Sequence, residues 1–401
     1  MVAERFISRK LRFKGNVAAV AIAVSFLVII VAVAVSSGFR HEIRDGVAAM
    51  VGDIRITPYT SGDSEPVPMP LHLPAEYDIL AIPGVSALEP SVVRAGIVKS
   101  GEVIHGVIVK GVSQPSFSGT TDASFSGATD ASFSGLSRES LGVSIPTRLS
   151  EITGLGVGDK LTTYFIGEKV RVRQFNIVAV HRDILEADDN LLVYASLADM
   201  QRLNGWSSEE VSCIDVRLKE SHRGKDSQEA IAAKVGWAVR EESLYVSTSA
   251  RTYPQIFDWL GLLDLNVTII LILMTLVAGF NMVSGLLIMV LRNISTIGTL
   301  KTMGMNDRSI GKVFVQSGAL AALKGLLWGN ALALLFCLVQ AKTHLIHLDP
   351  ENYFVSFVPI HVSIPSILAA DVVAYLGIIL MLWLPARLIA RVDPSKTVKA
   401  D

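Results

Sequence analysis

Four stretches of the chain carry almost no charge, and no other feature limits its fold as strongly. Gly15–Phe39 and Leu265–Leu291 contain no charged residue, Val313–Ala341 contains only Lys324, and Pro365–Leu384 contains only Asp371. Each reaches the ~20 residues with which an α-helix crosses the hydrocarbon of a bilayer. The rest of the chain holds 71 of the 73 Lys, Arg, Asp and Glu side chains, near the ~25% charge of ordinary soluble proteins. The overall charged fraction of 18% is therefore an average over two materials. The pattern predicts an α-helical integral membrane protein with four transmembrane helices, at 15–39, 265–291, 313–341 and 362–384. The first stretch exceeds the ~7–15 apolar residues of a secretory signal and is expected to be retained as a span.

Basic residues beside the spans set orientation in a membrane. Residues 1–14 carry five basic side chains and one acidic, 292–312 carry four and one, and 385–401 carry four and two. The link 342–360 has one basic residue against two acidic ones. Both termini and 292–312 are therefore expected in the cytoplasm. The 41–259 segment and the 342–360 loop are expected on the opposite side.

Residues 41–259 are long enough to bury a core of their own. Period-two runs predict strands at Asp53–Thr57, Val103–Val112, Val170–Val180 and Cys213–Leu218. Helix signals alternate with them. Ser196 and Asp199 resemble a capping box ended by Gly205, and Gln228–Val239 follows a helical pattern. A large extracytoplasmic α+β domain inserted between helices 1 and 2 is the expected architecture. Cys213 falls in that domain and Cys337 in a span, so no disulfide joins them. Within the domain, 116–135 is of low complexity: TTDASFSG at 120–127 recurs as ATDASFSG at 128–135. An exposed loop left by a tandem duplication is expected; the alternative is an aromatic-studded arm for a partner.

Motifs of nucleotide and hydrolytic chemistry are missing. No G-x-x-x-x-G-K-[ST], H-E-x-x-H or G-x-S-x-G pattern occurs. The chain is thus expected to catalyse nothing alone and to hold no cofactor and no metal. His344 and His347, three apart near Asp349, lack a further ligand nearby and read as an interfacial loop. A net charge of −1 offers nucleic acid no basic field. Inside the spans, Lys324 and Asp371 are ionisable residues at membrane depth. Such residues mark proton or ion paths, or else snorkel or pack on a neighbouring helix, which is the expectation for two isolated charges. Gly325 and Gly329 form a G-x-x-x-G pattern suited to close helix packing.

The link after the second span reads RNISTIGTLKTMGMNDRSIGKVFVQS over 292–317. Ile294, Ile297 and Leu300 recur at helical spacing, and the pattern stops at Gly304. A short amphipathic helix at the membrane surface is expected, then a second helix capped by Asn306 or Asp307 that enters the third span. Thr296, Ile297, Gly298, Leu300, Lys301, Met303, Gly304 and Met305, followed by Ile310 and Phe314, resemble the coupling-helix signature of permeases related to FtsX and MacB. Within that superfamily, one span, a large external domain and three further spans is the order of the lipoprotein-releasing permeases of the LolC/LolE type. The segments Arg5–Arg12, Gly156–Lys160, Leu191–Trp206, Pro385–Arg387 and Asp393-Pro394 also resemble them.

This resemblance implies a MacB-like periplasmic core fold for 41–259 and a place in the inner membrane of a bacterium. It implies a cytosolic ABC ATPase dimer that holds ATP and Mg and contacts Thr296–Met305. It further implies a second permease copy or paralogue, lipoprotein drawn from membrane lipid as substrate, and a LolA-like periplasmic carrier that receives it. Thr296 stands where many relatives carry an acidic residue. Two other roles within the superfamily stay open: a MacB-like exporter of peptides, macrolides or lipids, and an FtsX-like transducer that activates a cell-wall hydrolase without transport.

Overall fold

The computed structural model describes residues 16–59, 68–72, 79–101, 103–113, 141–167, 170–181, 191–240, 244–349, 353, 355 and 357–386. The amphipathic start at 1–14, the repeat at 116–135 and the tail from 387 lie outside them. In chain order the elements are α1 (Asn16–Val51), β1 (Ile54–Pro58), β2 (Leu71–His72), β3 (Val85–Ser100), β4 (Val103–Val112), β5 (Gly142–Pro146), α2 (Thr147–Thr153), β6 (Lys160–Phe165), β7 (Arg171–His181), β8 (Leu191–Ser196), α3 (Leu197–Asn204), β9 (Glu210–Val211), β10 (Cys213–Leu218), α4 (Lys225–Ala238), β11 (Leu244–Thr248), α5 (Ser249–Thr252), α6 (Pro254–Arg292), α7 (Ile294–Thr302), α8 (Asp307–Thr343) and α9 (Ile364–Ala386). They form two compact units, one helical and one built on a sheet, with His41/Glu42 and Asp258/Trp259 at the joins.

In the helical unit α1, α6, α8 and α9 are each long and apolar enough to cross a membrane. A spanning segment must satisfy its backbone internally, which a helix does within one segment. The helices outrun the uncharged stretches: α1 continues to Val51 and α6 begins at Pro254. An apolar stretch marks where hydrocarbon would lie, whereas backbone chemistry ends the helix. Gly52, at φ +68°, terminates α1, and Pro254 occupies the first position of α6. The core joins Ile22, Phe26 and Ile29 of α1 to Met282 and Leu286 of α6, Phe314 and Ala322 of α8, and Ile378 and Leu382 of α9. Glycines set the closest approaches. A Cβ on Gly279 would meet Met381 Sδ, and one on Gly377 would lie 2.8 Å from Thr275 Cγ2, so α6 and α9 touch at small residues.

The second unit carries a nine-stranded sheet in the order β11-β1-β10-β3-β4-β8-β5-β7-β6. It is mixed: β4/β8 and β5/β7 run parallel and the other pairs antiparallel. The 16-residue β3 serves three partners, β10 through Val85–Ser91, β4 through Ser91–Ser100, and β6 at Ile97 and Val98. The last pairing closes β3-β4-β8-β5-β7-β6 into a ring and removes two edges that would otherwise invite pairing with another chain. Val92, Val107, Val109, Val143, Ile145, Leu161, Phe175 and Val193 fill it. Strand β5 is buried at every residue, as expected of a strand covered on both faces.

The four expected strands occur within about two residues of their ends. The capping box at Ser196 does not form. Ser196 makes no side-chain cap bond, and Asp199 instead accepts from Leu141 N at 2.9 Å and pairs with Arg202. Its carboxylate is drawn away by a backbone donor from a distant segment, which local spacing could not reveal. Gly205 ends α3 as expected, with Gly205 N donating to Arg202 O and Trp206 N to Gln201 O.

Candidate functional site

The link between α6 and α8 folds as a helix and a turn. Asn293 precedes α7, and Gly304 follows it at φ +85°. Gly304 N donates to Lys301 O at 3.0 Å and Met305 N to Leu300 O at 3.0 Å, the paired bonds of a glycine-terminated helix end. Met305 and Leu300 pack on the same apolar cluster, supplying the hydrophobic contact of that motif. Asn306 then caps α8, its side chain accepting from Arg308 N at 3.3 Å.

The eight candidate coupling residues divide by face. Ile297 is fully buried on the cluster with Ile310 and Phe314, and Gly298 is buried beside it. Leu300, Lys301 and Met305 are half-buried, and Lys301 Nζ reaches Asp307 at 2.8 Å across the turn. Thr296 and Gly304 are exposed, and Met303 projects with 79% of its surface free. The arrangement is a rigid knuckle: an inward apolar face seats it, an internal ion pair ties its two helices, and an unbranched apolar tip stands outward. Thioether side chains of this kind adapt to irregular pockets. The sequence offered Asp307 only as an alternative cap to Asn306; its pairing with Lys301, six positions earlier across a glycine, went unread.

In the spans, Gly325 and Gly329 are both buried against α1. A Cβ on Gly325 would stand 2.6 Å from Ile22 Cγ2, and one on Gly329 2.6 Å from Ala23 O. Lys324 lies on the exposed face of α8. Asp371 is buried and accepts from Asn330 Nδ2 of α8. Asn330 is a polar residue sequence reading passed over; a lone amide in an apolar run was its only trace. The His344 ring packs on Phe357, and His347 forms a backbone bridge to Phe357, so these two histidines serve the loop. Gln340, buried at the end of α8, braces it through Ile346 N at 3.1 Å.

Four helices apolar enough to cross a membrane, a mixed-sheet domain and an amphipathic knuckle between two of those helices are the parts of a multi-span membrane protein with a large folded domain. Residues 16–234 match the family model of the MacB-like periplasmic core domain, and 268–394 match the FtsX-like permease C-terminal model. The chain belongs to this family of ABC transporter permeases. It is 20% identical over 395 residues to the lipoprotein-releasing system transmembrane protein LolC of Xylella fastidiosa (strain 9a5c), covering 95% of this chain and 92% of that one. It is 22% identical over 397 residues to the lipoprotein-releasing system transmembrane protein LolE of Haemophilus influenzae, covering 95% and 93%. The periplasmic region of MacB from Actinobacillus actinomycetemcomitans matches 51% of the chain and 91% of its own length, at 11% identity and a TM-score of 0.32.

Proposed function

We propose that the chain is the permease subunit of a complex that draws lipoproteins from the outer leaflet of a bacterial inner membrane and hands them to a periplasmic carrier. One observation carries the reading: the relatives named for lipoprotein release align along 95% of the chain, through both the sheet domain and the helices. In this reading both termini and the knuckle at Ile294–Met305 face the cytoplasm, and the sheet domain faces the periplasm. The working unit pairs two permeases, identical or related, above an ATPase dimer.

The energetics require such a partner. Extracting acyl chains costs about 0.8 kcal/mol for each CH2 withdrawn from the bilayer. This chain shows no phosphate-binding loop, so the work is assigned to ATP hydrolysis on a separate cytosolic protein. The knuckle suits transmission because its seat is buried and its tip is free. Thr296 and Met303 would touch the ATPase, while Ile297 and Leu300 would pass the displacement into α8.

Reconstitution of the full complex with a triacylated lipoprotein in liposomes tests the proposal. ATP-dependent transfer to the carrier is expected, and Met303→Asp should reduce it at least tenfold while the complex still assembles. An intact complex that hydrolyses ATP without releasing lipoprotein sinks the reading. Export of a peptide or macrolide under those conditions would favour the MacB-like role.

A further inference from the structure

Helices α8 and α9 bring two polar side chains together inside apolar spans. Asn330 Nδ2 donates to Asp371 Oδ2, and Asp371 is only 7% exposed. Each side chain keeps a second oxygen, and both Asp371 Oδ1 and Asn330 Oδ1 are buried with no hydrogen-bond partner among the described residues. Two unpaired acceptors on contacting side chains cannot satisfy each other, since an ionised carboxylate has no proton to give and the amide oxygen has none either. An ionised carboxylate out of water also demands a cation. Lys324 of α8 is on that helix's exposed face, and no ion pair to Asp371 is present among the described residues. Tyr375, one turn along α9, gives its hydroxyl proton to Ala319 O at 3.2 Å. Cys337 is two turns along α8, and α6 carries no charge between Leu265 and Leu291.

We propose that Asp371 is held as the neutral acid and forms an acid–amide ring with Asn330 across α8 and α9. A proton taken from water sits on Asp371 Oδ1 and is donated to Asn330 Oδ1, while Asn330 Nδ2 donates to Asp371 Oδ2. That one proton gives a partner to both unpaired oxygens. The pair is a proton-binding site within the membrane and a directional clasp that fixes the register of α8 on α9. The apolar surfaces around it, being non-directional, do not fix that register.

Infrared spectroscopy of the full chain in lipid nanodiscs at neutral pH tests this. A protonated-carboxyl band is expected in the wild type, absent from Asp371→Asn and shifted in Asn330→Val. Thermal unfolding supplies a second readout. Asp371→Asn, whose amide imitates the neutral acid, should melt close to the wild type, and Asp371→Leu, which strands Asn330, should melt lower. The absence of an Asp371-dependent acid band, or equal destabilisation by Asp371→Asn and Asp371→Leu, overturns the proposal.

Discussion

His181 and Asp215 show how single buried groups in the sheet domain bear on its stability. The buried His181 ring lies 2.8 Å from Ser144 Oγ and edge-on to Tyr194. Burial, offset in part by the Leu192 backbone, lowers its pKa to about 4 from 6.5. Because the folded state resists the proton, the unfolded chain binds more of it between these values. Stability is therefore full above pH 6.5, falls as the pH drops through this window, and the loss is complete below about 4. The loss amounts to about 3 kcal/mol at about 1.4 kcal/mol per pKa unit. Denaturant unfolding from pH 7 to 4 should show this slope, and His181→Leu should flatten it; an unchanged slope would place the effect elsewhere. Asp215 is a different case. Burial alone would raise its carboxyl, but Arg55 at 2.7 Å and Lys110 at 2.6 Å outweigh it and hold the group below the usual carboxylate range. Lys110 Nζ also donates to Ala49 O and Met50 O, carbonyls at the end of α1. Asp215→Leu strands two buried cations and should cost about 3–5 kcal/mol. Lys110→Met leaves Asp215 paired with Arg55 and should cost less, so the reverse order in unfolding midpoints would refute this account.

The helices were legible because each is a local statement: length without charge, or a glycine at an end. Gly304 and Asn306 were legible for the same reason. Strand β3 was not, since its length and its three partners are decided by segments up to about 130 residues away, which no local period reports. The Asn330–Asp371 contact was hidden likewise, its two halves belonging to different helices. Gly325 and Gly329 stand between these cases: the four-residue spacing showed a packing face but not the partner, α1. Neither glycine should tolerate a side chain. A methyl on Gly325 would stand 2.8 Å from Ile22 Cβ as well as 2.6 Å from its Cγ2, and one on Gly329 would stand 2.6 Å from Ala23 O and 2.7 Å from Phe26 Cβ. Those atoms are tied to the α1 backbone, which must move as a unit to relieve the clash. Thermal unfolding in detergent should therefore place both Gly325→Ala and Gly329→Ala below the wild type. A wild-type melting temperature in either variant would mean that α1 and α8 do not approach this closely in the folded protein.

At the scale of the whole molecule, a net charge of −1 conceals two opposed populations. Residues 41–259 contain 20 basic and 29 acidic side chains, while 1–14, 292–312 and 385–401 together contain 13 basic and 4 acidic. Basic residues near span ends are retained on the cytoplasmic side during insertion, whereas long polar domains cross largely regardless of their charge. The proposed orientation follows from the first rule, and the acidic domain is free to cross under the second. Thiol labelling can read this directly because Cys213 and Cys337 are both buried and should stay silent in the native protein. A membrane-impermeant reagent applied to spheroplasts should label Lys234→Cys, on the exposed side of α4, and should reach Ser295→Cys on α7 only after lysis. Labelling of Ser295→Cys in sealed spheroplasts would invert the topology. It would also remove the knuckle from the reach of any cytosolic ATPase, so this one measurement bears on the orientation and on the coupling route together.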